Sequence, residues 1–138
     1  MKDKLQSRLP GLPRFLGMRI TEATRERLVA DFTVEEVHCN GTGFAHGGAL
    51  MAFADTLGAI GAILNLRAGQ STTTLESKTN FIAGAARGAT LTGEATPLHR
   101  GGRTQIWETA IRDANGRLIA KVTQTQIVLQ APAPKPPG

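Results

Sequence analysis

The chain has 138 residues, 41% of them hydrophobic, with 16 Lys and Arg against 11 Asp and Glu for a net charge of +5. That length suits one domain around one core, and the single Cys39 excludes an internal disulfide framework and suits a reducing compartment. The positive charge is scattered, with no run and no interleaved aromatics, so it describes a solvated basic surface rather than a nucleic-acid footprint.

In chain order, Lys2 to Arg14 form a short helix or irregular lead-in broken by Pro10 and Pro13. Charged early and without an apolar run, this start is expected not to be a secretory signal. Phe15 to Ala23 and Arg25 to Val34 alternate as half-buried strands do, with a turn near Thr24. Glu35 to Ala45 is a polar turn, and His46 to about Leu66 reads as a long helix. Arg67 to Gln70 ends it, with Gly69 as a left-handed cap. Ser71 to Ile82, rich in β-branched residues, suits a strand, and Ala83 to Gly88 a turn or bulge. Ala89 to Leu98 and Thr104 to Asp113 are two more strands, joined by His99 to Arg103. Asn115-Gly116 is a strong hairpin signal, and Arg117 to Leu129 closes the sheet. The expected organisation is a lead-in over 1–14, a domain over 15–129 and a Pro-rich disordered tail over 130–138. Two strands, a long helix and four strands in meander make an α+β arrangement: a curved antiparallel sheet wrapped around one long central helix.

That helix carries one acid, Asp55, in an otherwise apolar run. A lone carboxylate there costs several kcal/mol unless it is paired, hydrogen-bonded or open to a cleft. It would cost roughly 3 kcal/mol at the middle of a bilayer, and the helix is rich in Ala and Gly rather than Leu, so a soluble, cytoplasmic chain is expected, without a membrane. Gly47 and Gly48 fall at the helix start, where the first amide N–H groups lack intrahelical partners and favour an anion or a polarised carbonyl oxygen. Asp55 lies eight residues after Gly47, roughly 12 Å along a helix. A base and an oxyanion donor must each come within about 3 Å of the reacting group. One helix therefore does not serve both roles. Two antiparallel copies do, so an enzyme built on these residues shares its site across at least a dimer.

Asn40, Gly43, His46-Gly47-Gly48 and Ala54-Asp55 stand in the pattern N-x-x-G-x-x-H-G-G followed by A-D within a helix. With this order of elements, the chain resembles the hotdog-fold acyl-CoA thioesterases, in the PaaI-like branch named for a phenylacetyl-CoA thioesterase. The similarity runs from Phe15 to Leu129; Thr74 to Ile82 matches the first strand after the helix, and His99 to Leu129 the final hairpin. The resemblance implies Asp55 as the carboxylate, acting as base on water or as nucleophile on the thioester carbonyl. It implies the Gly47 N–H of the other subunit as oxyanion donor, Asn40 and His46 as pocket residues, and Thr74 where some relatives orient water with a Ser. It also implies an acyl-CoA substrate, a homodimer and homotetramer, and no cofactor beyond the coenzyme A of the substrate.

Plainer roles stand beside these. Asp55 pairs or caps structurally; Asn40 satisfies the turn; His46 holds the turn by hydrogen bonds; Thr74 is an ordinary strand residue; Cys39 is a small buried side chain without a placed base. His99 to Arg103 is either a solvated hairpin or a site for coenzyme A phosphates, with Arg100, Gly101 and Arg103 as contacts. Phe53, Leu57 and Ile60 are expected along the acyl pocket, and Trp107 in core or interface packing. No metal is expected, because His38, His46 and His99 lie far apart without second ligands. Two other functions fit the same fold: an acyl-CoA sensor or carrier, against which Asp55 argues, and an enoyl-CoA hydratase, for which the turn around His46 has the wrong local pattern.

Overall fold

Most strands of this chain lay an apolar phase against one helix, whereas residues 70–81 turn Thr and Ser inward. The computed structural model describes residues 1–132 and 135–138. Two short helices, α1 (Lys2–Gln6) and α2 (Gly11–Phe15), precede β1 (Arg19–Ala23) and β2 (Leu28–Thr33). A 3₁₀ turn at Glu36–His38 leads to α3 (Gly47–Leu64), followed by β3 (Gln70–Phe81), β4 (Thr90–Arg100), β5 (Thr104–Arg112) and β6 (Leu118–Gln130). Of the expected tail, Gln130 instead ends β6, residues 133 and 134 lie outside the described residues, and the described remainder takes no helix or strand.

All strand pairs are antiparallel, in the order β1-β2-β4-β5-β6-β3. This corrects the expected four-strand meander. Only β4, β5 and β6 run as neighbours, while β3 crosses to the far edge and pairs with β6 from Gln70↔Gln130 to Phe81↔Ala120. Alternation identifies a strand but not its neighbour. The return stretch between β3 and β4 sets the pairing: the Ile82 N–H donates to Ile119 O, Arg87 N–H to Gly43 O, and Gly88 N–H to Val34 O.

The core lies between α3 and the sheet. Phe53, Leu57, Leu91, Trp107, Ile111 and Val122 are fully buried there. Glycines let the helix approach: a Cβ on Gly61 would stand 2.6 Å from the Trp107 ring, and one on Gly93 2.5 Å from Phe53. Phe53 and Leu57 thus pack inside the core rather than along an acyl pocket, and Ile60 packs against them. By length and composition α3 is apolar enough to cross a membrane, yet here it is the core helix of the sheet.

Several boundaries shift for local reasons. The first expected strand begins only at Arg19, because Gly11 to Phe15 close a helical turn. α3 ends at Leu64, where the Asn65 side chain donates to Gly61 O at 2.9 Å. Gly69, at φ +80°, instead turns the chain into β3. β4 extends through Arg100, which shortens the expected His99–Arg103 loop to three residues. On the outer face, Arg27 sits between Glu22 and Glu94 and ties β1, β2 and β4 together. Its hydrogen bond holds the Glu94 carboxyl below its ordinary range.

Candidate active site

The turn before α3 is built by Asn40. Its side-chain oxygen accepts from Thr42 N–H (3.0 Å), Thr42 Oγ1 (2.7 Å) and Phe44 N–H (3.3 Å), an Asx-type turn completed by Gly43 at φ +82°. The plainer role of Asn40 is therefore real, and its amide NH₂ is the group left for other contacts. His46 caps α3. Its backbone N–H donates to His38 O at 2.7 Å, and its ring Nδ1 accepts the Gly48 N–H at 2.8 Å.

That cap separates the two glycines. The Gly48 amide, expected to contact a substrate, already donates to His46. Ala49 and Leu50 donate to His46 O. Among the described residues, the Gly47 N–H has no partner. It borders a cavity of about 470 Å³ lined in part by Asn40, Phe44, Leu50, Phe81 and Ile82. The Phe81 ring lies over Gly47 so closely that a Cβ there would stand 3.0 Å from it.

Asp55 is half-buried, two turns further along α3, and does not line that cavity. Its Oδ1 accepts from Thr74 Oγ1 at 2.7 Å and from Gln124 Nε2 at 3.1 Å. Oδ2 has no partner among the described residues. Thr74 in turn accepts from Gln126 Nε2 at 2.7 Å. The arrangement holds one carboxylate oxygen and leaves the other open, which suits an acid that must take a proton or attack a carbon.

Strand phase decides which hydroxyl reaches Asp55. Thr72 and Thr74 face inward and Ser71 and Thr73 outward; a bulge at Leu75, just past Thr74, then shifts the inward phase to Ser77 and Thr79. Gln124 and Gln126 were not among the expected site residues. Their signal was present in β6, where both occupy the inward phase otherwise held by Val122 and Val128. Gly58 completes the contact. A Cβ there would stand 2.4 Å from Gln124 Cδ and Oε1, so only glycine lets Gln124 lie across the helix.

The remaining expected residues lie elsewhere. Arg100 donates to Glu26 Oε1 at 2.7 Å and to Asn65 Oδ1 at 3.2 Å, at the C-terminal end of α3. With Gly101, Arg67, Gln70 and Gln105 it lines a cavity of about 570 Å³. The Arg103 carbonyl accepts from Val128 N–H. Cys39 is half-buried, with its Sγ 3.3 Å from Glu35 O. Trp107 is core, its indole N–H donating to Gln105. No group of His, Cys, Asp and Glu among the described residues is arranged to hold a metal ion.

A six-stranded antiparallel sheet packed on one long helix that carries an acid is the hotdog fold of thioester hydrolases. Residues 42–120 match the Thioesterase superfamily. The chain is 30% identical over 115 residues to the 1,4-dihydroxy-2-naphthoyl-CoA hydrolase of Escherichia coli K12, covering 83% of this chain and 84% of that one. It is 33% identical over 106 residues to the proofreading thioesterase EntH of Cronobacter turicensis, covering 77% of each. The PaaI protein of E. coli, from the phenylacetic acid degradation operon, shares the fold at a TM-score of 0.85, with 22% identity over 94% of this chain and 92% of that one. The chain belongs to the thioesterase superfamily and shares its hotdog fold with the PaaI protein.

Proposed function

We propose that this thioesterase hydrolyses an acyl-CoA to the free carboxylic acid and coenzyme A, in a site shared by two protomers. The observation that carries the reading is the state of Asp55: one oxygen held by Thr74 and Gln124, the other open, within a helix of a thioesterase fold. The naphthoyl-CoA hydrolase among its relatives supports coenzyme A as the leaving group.

The reaction follows from these groups. Asp55 Oδ2 takes a proton from water while the water oxygen bonds to the thioester carbon, or Oδ2 itself bonds to that carbon and water cleaves the resulting anhydride. In either route the carbonyl oxygen gains negative charge, which a backbone N–H stabilises. Collapse breaks the C–S bond; the coenzyme A thiolate takes the proton held by Asp55 in the first route, or one released by the water that cleaves the anhydride in the second.

The unpartnered Gly47 N–H is the donor, and the one that serves Asp55 belongs to the partner subunit. Along one helix the two groups stand roughly 12 Å apart. Gly47, Met51, Asp55, Ala59 and Ile63 recur every four residues and form one stripe of α3, while the opposite side, from Leu50 through Ala62, is buried. Met51 is 38% exposed and Ile63 51%. An antiparallel partner helix on this stripe covers it, placing each Gly47 beside the other Asp55 and the two-fold axis at Met51, midway between them. β3, whose outer edge pairs with no strand among the described residues, lies next to that seam and would continue the sheet into the partner. Pairing of such dimers into a homotetramer extends the same reading.

The acyl group then occupies the apolar cavity beside Gly47, and Arg100 and Arg103 stand at the far end of α3 for the phosphates. No cofactor is needed, because a thioester is already activated. The free Cys39 suits a cytoplasmic setting. An acyl-CoA carrier of the same fold has no use for an acid with an open oxygen. The test is thiol release from benzoyl-CoA and decanoyl-CoA. Asp55→Asn keeps an Oδ1 that accepts from Thr74 and Gln124, so the variant is expected to fold and assemble normally yet lose at least a hundredfold in kcat. Full activity in that variant excludes the mechanism.

A further inference from the structure

The apolar phase of β6 asks for an aliphatic residue at position 126, and a buried amide there is costly unless it is hydrogen-bonded. Gln126 is fully buried, and its amide nitrogen leads through Thr74 toward Asp55. Thr72 Oγ1 lies 2.8 Å from Ile127 O and 3.1 Å from Gln126 Oε1; Gln126 Nε2 lies 2.7 Å from Thr74 Oγ1; Thr74 Oγ1 lies 2.7 Å from Asp55 Oδ1.

The chain has one polarity. A carboxylate only accepts, so the single hydrogen of Thr74 goes to Oδ1. The Thr74 oxygen then presents a lone pair, and at 2.7 Å Gln126 must meet it with N–H rather than C=O. Turning the amide over would set two acceptors face to face. Gln126 Oε1 is left toward Thr72, whose single hydroxyl hydrogen is shared between Oε1 at 3.1 Å and Ile127 O at 2.8 Å. With Gln124 also donating to Oδ1, that oxygen is held as an acceptor twice, and an incoming proton is directed to Oδ2.

We infer that Gln126 is a positioning residue for the reaction: it orients the Thr74 hydroxyl, and through it fixes which oxygen of Asp55 reacts. This rests on Asp55 being the reacting carboxylate. Gln126 touches neither Asp55 nor the substrate and acts only through Thr74.

The test is a double-mutant cycle on the full-length protein, with benzoyl-CoA and decanoyl-CoA as probes. Gln126→Met, of similar length but without a donor, is expected to lower kcat about tenfold while KM stays within about twofold. Thr74→Val is expected to lower kcat by a similar factor, and the double variant to be no slower than Thr74→Val alone. Gln126→Glu, which would accept the Thr74 hydrogen, is expected to be slower than Gln126→Met when Thr74 is intact and equal to it when each is combined with Thr74→Val. A residue that merely fills the core would show additive losses in the cycle, or a wild-type kcat; either result overturns the inference. If Gln126→Met does not fold, Thr72→Val removes the hydroxyl shared with Oε1 instead, and its loss of kcat must likewise vanish when combined with Thr74→Val. Asp55→Asn, run alongside, separates the two levels. A fully active Asp55→Asn defeats the catalytic reading itself, whereas an inactive one with an additive cycle defeats only the role of Gln126.

Discussion

Replacing Gly58 with Ala adds one methyl group beside the proposed site, and the structure sets the size of its effect. The new Cβ would stand 2.4 Å from Gln124 Cδ and Oε1 and 2.7 Å from Nε2. Ordinary carbon contacts begin near about 3.5 Å, so the Gln124 amide must retreat by roughly 1 Å. Its Nε2 now lies 3.1 Å from Asp55 Oδ1, and that retreat takes it past hydrogen-bond distance. Gln124 is fully buried against the helix, so it has no free space to absorb the shift. Helix propensity favours Ala over Gly by about 1 kcal/mol. Overpacking costs about 1–3 kcal/mol, and a hydrogen bond lost from a charged group about 1.5–3 kcal/mol. Net destabilisation of about 1.5–5 kcal/mol is expected, with kcat falling roughly tenfold to a hundredfold if the lost hydrogen bond is felt in the reacting state.

Gly61→Ala is the matched control. Its Cβ would meet the Trp107 ring at 2.6 Å, with the same gain in propensity, but Trp107 hydrogen-bonds Gln105 rather than Asp55. Urea unfolding and thiol-release kinetics on both variants separate packing from positioning. Both proteins should lose stability, and only Gly58→Ala should lose kcat per folded molecule. Equal loss of kcat in the two, or a Gly58→Ala enzyme as fast as wild type, would refute the link between Gln124 and Asp55.

His46→Ala removes the cap on Gly48 and is expected to cost about 0.5–2 kcal/mol of stability, together with kcat, because the amides of the first turn lose their aim. His46→Asn, which also caps, should recover most of both, and calorimetry with steady-state kinetics reads the two; recovery of stability without rate would instead assign the imidazole a chemical role. Neutralising Arg100 and Arg103 to Gln is expected to raise KM for benzoyl-CoA more than it lowers kcat. An unchanged KM would return that corner of the sheet to the plain hairpin reading.

Much of this architecture was legible in the residues. The apolar run with Asp55 inside it fixed the helix, and Asn115-Gly116 fixed the last hairpin, where Gly116 takes φ +80°. The place of β3 was not legible, because alternation carries no information on which strand lies beside which. The positions of Asp55 within the helix and of Gly47 and Gly48 at its start were readable from residue type and spacing. Gln124 and Gln126 announced themselves only as polar residues on the apolar phase of β6, a signal that gains meaning once Asp55 is seen opposite them. Gly58 looked like any small residue of a core helix; its purpose is defined by the side chain that crosses it. The Gly48 amide shows the reverse case, a plausible donor that the His46 ring already engages.

The shared site is best examined by a crystal structure of the protein with an acyl-CoA analogue whose thioester sulfur is replaced by methylene. The account predicts the ketone oxygen within about 3 Å of the Gly47 N–H of one protomer, with the carbonyl carbon facing Asp55 Oδ2 of the other and Met51 at the two-fold axis. A ketone held by Gly47 and Asp55 of a single protomer, or lying away from both, would contradict it.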